Sequence, residues 1–204
     1  MNRRSNRRKK PKASRQPKVA LMLVVQGKVT EVEYFERLRK QWEIPSLRIL
    51  PISESPERMI DSALVKIDRD SNARYSEVFL VVDVDDTSDK QFEQAFRAAR
   101  RASRRKTRYT FVVSNESFET WLLGHVQDIR RRSMGRKEIQ QILKKQHLLV
   151  GAKGKSLSDK FPISKVDDAI GQVDLCDYND VGKVCSTAVP RLVCHLRELR
   201  TNMR

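Results

Sequence analysis

Acids, aromatics, cysteines and long apolar runs are all scarce in this chain. Asp and Glu number 26 against 42 Lys and Arg, a net charge of +16, and a polyanionic partner is the simplest reason for so large an excess. Aromatics make up 6% of residues, too few for the stacking platforms that hold single strands. Cys176, Cys185 and Cys194 form no C-x-x-C pair and leave an odd thiol in any disulfide scheme. That excludes a disulfide scaffold and fits reduced thiols in the cytoplasm. The histidines His125, His147 and His195 have no metal spacing among them. His125 reads as a packed or hydrogen-bonded residue at a helix end. No apolar stretch reaches the length of a membrane span. The basic start followed by Val19–Val25 imitates a signal peptide, but the apolar run is minimal and no small-residue cleavage site follows, so a cytoplasmic protein is expected.

What is present is an alternation of strand-like and helix-like segments. The 204 residues suffice for one α/β domain with extensions. Residues 1–18 are rich in Arg and Lys, contain no acid and read as a disordered basic arm. Residues 19–126 read as the α/β core. Strands are predicted at Val19–Val25, Leu47–Ile52, Val78–Val82 and Tyr109–Val113, the third buried on both faces because its apolar run is unbroken. Between them, Tyr34, Phe35 and Leu38, then Met59, Ile60, Ala63, Leu64 and Ile67, then Phe92, Ala95, Phe96 and Ala99 recur at helical spacing. Thr30 followed by Glu33 matches a capping box. Phe118, Trp121, Leu122 and Leu123 mark a further helix. This alternation predicts a three-layer α/β sandwich with a mainly parallel sheet of about four strands. Residues 127–204 read as a basic, helical C-terminal extension packed on the core. It holds a Gly/Lys/Ser loop at 151–160 and helices near 164–173 and 187–200.

Ligand groups in parallel α/β sheets gather at the carboxyl ends of strands. The residues there are Gln26 with Glu31, Asp83 with Asp85 and Asp86, and Ser114, Asn115 and Glu116 with Glu119. Asp83 and Asp85 are one strand period apart, which points both carboxylates to one face. Two such groups suit Mg²⁺ (or Mn²⁺), which takes few carboxylates together with water and substrate phosphate. Acids after a strand also serve as turn formers and caps, but Glu31 and Glu119 in matching positions strengthen the metal reading. Lys153 is a candidate point cation for phosphate.

These blocks resemble the RloB-like family. QGKVTEVEYF is similar to its EGxxTExxYF opening, VVDVDD to its strand-end DxD, SNESFETWLLGHV to its SNPxFExWLLLHF, and CSTAVPRLVCHL to its NPST-x-V-x-x-LV segment. The resemblance spans about Val24 to Leu196. It implies a Toprim-like fold and a role in bacterial anti-phage defence, often beside an AAA-like ATPase. In that fold the Glu after the first strand moves a proton and the DxD carboxylates hold Mg²⁺. By position these are Asp83 and Asp85 for metal, with Glu31 as a further metal or acid–base carboxylate and Glu119 beside it. The first-strand Glu falls on Gln26, which can accept a hydrogen bond but cannot shuttle a proton near neutral pH. Catalysis has therefore either moved to Glu31 or been lost.

Two basic clusters are expected to meet phosphates. Arg97, Arg101, Arg104 and Arg108, with Arg100 and Arg105 beside them, would make one cationic helical face, and Arg130, Arg131, Arg132, Arg136 and Lys137 form another cluster. A Mg²⁺-dependent nuclease acting on DNA or RNA is the first reading. The alternative is a catalytically impaired nucleic-acid-binding or partner subunit of an ATPase, and an oligomer is compatible with both. A structural protein of ribosomal or chromatin type ranks last, because strand-end carboxylates repel phosphate unless a metal intervenes.

Overall fold

The computed structural model describes residues 20–69, 74–84, 87–103, 107–151 and 154–202. The basic arm over 1–18 and the candidates Asp85, Arg104, Arg105 and Lys153 lie outside the described residues. Four apolar runs form the long strands β1 (Ala20–Val25), β2 (Leu47–Pro51), β3 (Tyr75–Asp83) and β4 (Arg108–Ser114). They are mutually parallel and lie side by side as β2, β1, β3, β4. The pleat sends Leu21, Leu23, Val25, Phe79 and Val81 to one face and Met22, Val24, Val78, Leu80 and Val82 to the other. Both faces are covered, which is why these strands read as unbroken apolar runs.

Helices α2 (Pro56–Arg69) and α3 (Asp89–Ala102) cover the second face with Met59, Ile60, Ala63, Phe92, Ala95 and Ala99. On the first face lie α1 (Thr30–Trp42), α4 (Glu119–Leu123), α5 (Arg136–Lys145), α6 (Val166–Gln172) and α7 (Val189–Asn202). Tyr34, Phe35 and Leu38 are fully buried, as their spacing predicts. The molecule is a three-layer α/β sandwich.

The sheet has six strands among the described residues, where about four are expected. After a two-residue hairpin, β5 (Leu149–Val150) with β6 (Ser156–Leu157), the chain adds β7 (Asp174–Leu175) and β8 (Ser186–Thr187). β8 pairs antiparallel with the end of β4 at Ser114 and Thr187, and β7 lies beyond it. Segments of two residues carry no periodicity, so nothing in the pattern announces them. Residues from 21 to 196 share one hydrophobic cluster, and the C-terminal third is thereby built into the sandwich.

Two further expectations are corrected. The Thr30–Glu33 pair forms no capping box: Val29 is the N-cap of α1 and has no side-chain cap. Both side chains instead reach the β5–β6 hairpin. Arg97 to Arg108 do not form one helical face either, since α3 ends at Ala102 and Arg108 opens β4.

Candidate active site

The order β2, β1, β3, β4 means that the chain leaves β1 toward one edge and returns past it to build the other. The carboxyl ends of β1 and β3 therefore flank the topological switch point, where the crossovers diverge and leave a crevice. A cleft of about 390 Å³ lies there, lined by Gln26, Gly27, Lys28, Glu31, Ser53, Asp83, Glu119, Arg136 and Lys155 among others. A larger hollow of about 660 Å³ lies at the far end of α1. It is a shallow groove in which Arg39 pairs with Glu36 at 2.6 Å.

Asp83 ends β3 in phase with Phe79 and Val81, so it projects toward the face covered by α1 and α4. Glu31 comes from the first turn of α1 and Glu119 opens α4. All three carboxylates are buried, at 8%, 7% and 5% exposure respectively. Burial raises the Asp83 carboxyl well above the ordinary carboxylate range, and the charges of Glu31 and Glu119 push further, against Arg136 and the Phe118 N–H. Burial also raises Glu31, and Glu119 adds to it. Hydrogen bonds from the backbone of Glu31 and Gly27, and the charge of Lys155, pull the other way. A Cβ at Gly27 would lie 1.8 Å from Glu31 Oε2, so a side chain there displaces that carboxylate. Glu119 Oε1 accepts a hydrogen bond from Gln140 Nε2 at 3.3 Å.

Gln26 does not present a free amide to the cleft. Its Oε1 accepts the Asp83 backbone N–H at 3.1 Å, and its Nε2 donates to the Glu54 carbonyl at 3.1 Å. The side chain clamps the ends of β1 and β3 to the loop after β2. A carboxylate could keep the first bond, but its second oxygen would face a carbonyl with no proton to share.

Two cations complete the cleft: Lys155, which the sequence pattern does not single out, and Arg136, which it places only in a basic cluster. Lys155 sits in the hairpin connection, whose position α1 sets through three side chains on one face. Thr30 Oγ1 donates to the Lys155 carbonyl at 2.5 Å, Glu33 Oε2 accepts the Leu157 N–H at 2.7 Å, and Arg37 donates to the carbonyls of Leu157 and Ser158 at 2.7 and 2.6 Å. Arg136 opens α5, and its backbone N–H donates to Glu116 Oε2 at 3.1 Å. The spacing of Thr30, Glu33 and Arg37 was the available signal, since it places them on one helical stripe.

The other arginines of the predicted surfaces lie elsewhere. Arg97 and Arg101 belong to the C-terminal half of α3, and Arg108 is at the start of β4, at the opposite end of the sheet from the cleft. Arg97 pairs with Glu93 at 2.7 Å, Arg108 with Glu77, and Arg130 with Asp128 at 2.5 Å. The Arg131 backbone N–H donates to Asp174 at 2.7 Å.

Among the described residues no three acidic, His or Cys side chains form a ready metal cage. Mg²⁺ does not need one: it binds through one or two carboxylates and keeps several waters. Buried oxygens that repel one another suit a hard divalent cation, so the residues present fit it.

Fold and cleft together define a doubly wound α/β protein with a carboxylate site at its switch point. The chain belongs to the RloB-like protein family, whose profile matches residues 21–196. No curated protein and no solved structure is matched by the chain. No helix of the described residues is long and apolar enough to cross a membrane.

Proposed function

We propose that this RloB-like protein is a Mg²⁺- or Mn²⁺-dependent nuclease with a Toprim-type site, acting on DNA or RNA in bacterial anti-phage defence. The observation that carries the reading is the convergence of Asp83, Glu31 and Glu119 in one cleft with Arg136 and Lys155. Carboxylates alone would repel a phosphodiester, whereas carboxylates around a cation, edged by Lys and Arg, attract it. The defence setting and an AAA-like ATPase partner follow from the family resemblance.

Asp83 and Glu31 are the residues that would hold the divalent ion, which when bound supplies charge stabilisation for the phosphate and the leaving oxygen. Glu119, the third carboxylate of the cleft, is assigned the proton of the attacking water, oriented by Gln140. Lys155 and Arg136 balance the charge of the phosphate oxygens. Gln26 holds the Asp83 backbone and takes no part in proton transfer.

Purified protein incubated with plasmid, single-stranded DNA and tRNA is expected to cleave at least one of them with Mg²⁺ or Mn²⁺ and none in chelator. Asp83→Ala is expected to abolish cleavage. Cleavage that persists in Asp83→Ala overturns the assignment. The engaged amide of Gln26 favours a second reading, a binding subunit that works with an ATPase. Salt-sensitive binding without turnover on any substrate, in wild type and in Gln26→Glu alike, would establish it.

A further inference from the structure

The cleft needs an approach for its polyanion, and of the basic clusters that stand out in the sequence only Arg136 reaches it. Arg97, Arg108 and Arg130 are each paired with a neighbouring carboxylate, and the first two sit at the far end of the sheet. The face of α5 borders the cleft itself. Ile139 and Leu143 turn inward and are fully buried, which leaves Arg136, Gln140 and Lys144, spaced by four, on a second face. Arg136 lines the cleft. Gln140 reaches Glu119 at its wall. Lys144 packs its stem against Gly154, where a Cβ would lie 2.3 Å from Lys144 Cε. Lys144 is exposed and pairs with no carboxylate among the described residues. Next to Gly154 stands Lys155 in the cleft wall, and Lys28 edges the cleft from the β1–α1 turn.

We infer that the Arg136–Gln140–Lys144 face of α5, together with Lys155, is the track along which a nucleic-acid backbone enters the cleft. The inference rests on the nuclease reading above and specifies its substrate path. Eight residues of helix advance about 12 Å, a length that spans roughly three phosphates of one strand. Among the described residues no aromatic side chain lines the cleft, so the track reads phosphate and is blind to sequence.

Binding of a fluorescein-labelled oligonucleotide to the full chain, measured in chelator over a salt series, tests it without requiring turnover. Lys144→Glu is expected to weaken binding about 5–10-fold and to lower the salt slope by about one. Gln140→Arg, which adds a cation between the two existing ones, is expected to tighten binding severalfold. Arg97→Glu changes net charge equally and is expected to have less than half that effect on the logarithm of affinity. Equal weakening by Lys144→Glu and Arg97→Glu, or no gain from Gln140→Arg, overturns the track. If the track behaves as expected while Mg²⁺ elicits no cleavage of any substrate, the nuclease reading fails and the binding path stands.

Discussion

At the scale of single residues, the cleft stores electrostatic cost that a cation relieves. Asp83 and Glu31 have raised pKa values. A carboxyl raised in the folded state favours folding at low pH and loses that contribution as pH rises through its folded value. In chelator at neutral pH, Asp83→Asn is therefore expected to stabilise the protein by about 1 kcal/mol, roughly 2–4 °C in Tm for a chain of this size. The Tm gain of wild type on adding Mg²⁺ should vanish in this variant; both are read by thermal denaturation. Gln26→Glu is expected to lose about 1 kcal/mol by denaturant titration and to gain no cleavage, because the new carboxylate meets the Glu54 carbonyl. Asp83, Glu31 and Glu119 were legible in the sequence because each follows a strand whose end the apolar run marks. The role of Gln26 was not, since its partner Glu54 comes from a loop whose position only the folded sheet defines. Lys155 and Arg136 were missed as cleft residues for a related reason: the hairpin and α5 arrive there through long-range contacts.

At the scale of elements, the long parallel strands and their helices were readable because burial on both faces and the 3.6-residue period leave strong patterns. The hairpin was not, for its strands have two residues each, and what holds it is the stripe Thr30, Glu33 and Arg37. Arg37→Ala leaves the Leu157 and Ser158 carbonyls without their shared donor and is expected to cost about 1–2 kcal/mol. Hydrogen exchange should show faster exchange at the Leu157 amide and across the hairpin. Arg37→Lys should rescue little, because one ammonium does not reproduce a guanidinium fork on two carbonyls. A second tie joins α4 to α1. His125, buried at 1% exposure, has Nδ1 at 3.2 Å from the Trp121 carbonyl and Nε2 at 3.3 Å from the Tyr34 hydroxyl. Nδ1 must donate to the carbonyl, so Nε2 accepts from the tyrosine. Burial pushes the imidazole from its ordinary 6.5 down to about 4. A histidine depressed in this way contributes stability above its unfolded pKa and loses it as pH falls through the folded one. Stability by denaturant titration should therefore decline from pH 6.5 to about 4, and His125→Asn should flatten that limb.

At the scale of the whole molecule, a single cluster joins Leu21 to Leu196, and Leu192, Val193 and Leu196 are fully buried in it. The predicted division after residue 126 carries no gap in this core. A chain ending before β8 loses the strand that covers the end of β4 and the α7 side chains above it. It is expected to lose cooperative thermal unfolding, as circular dichroism would show. The hairpin latch also bears on the order of assembly. Thr30, Glu33 and Arg37 find their partners more than a hundred residues later, at sequence separations of 125, 124 and 121. Such distant pairings form late, and domains fold from the N-terminus during synthesis. A nascent chain that has made β1 to α4 already carries Glu31, Asp83 and Glu119, but it lacks Arg136 and the latched Lys155. The carboxylate half of the cleft is thus made before the cationic half, which waits for α5 and the hairpin.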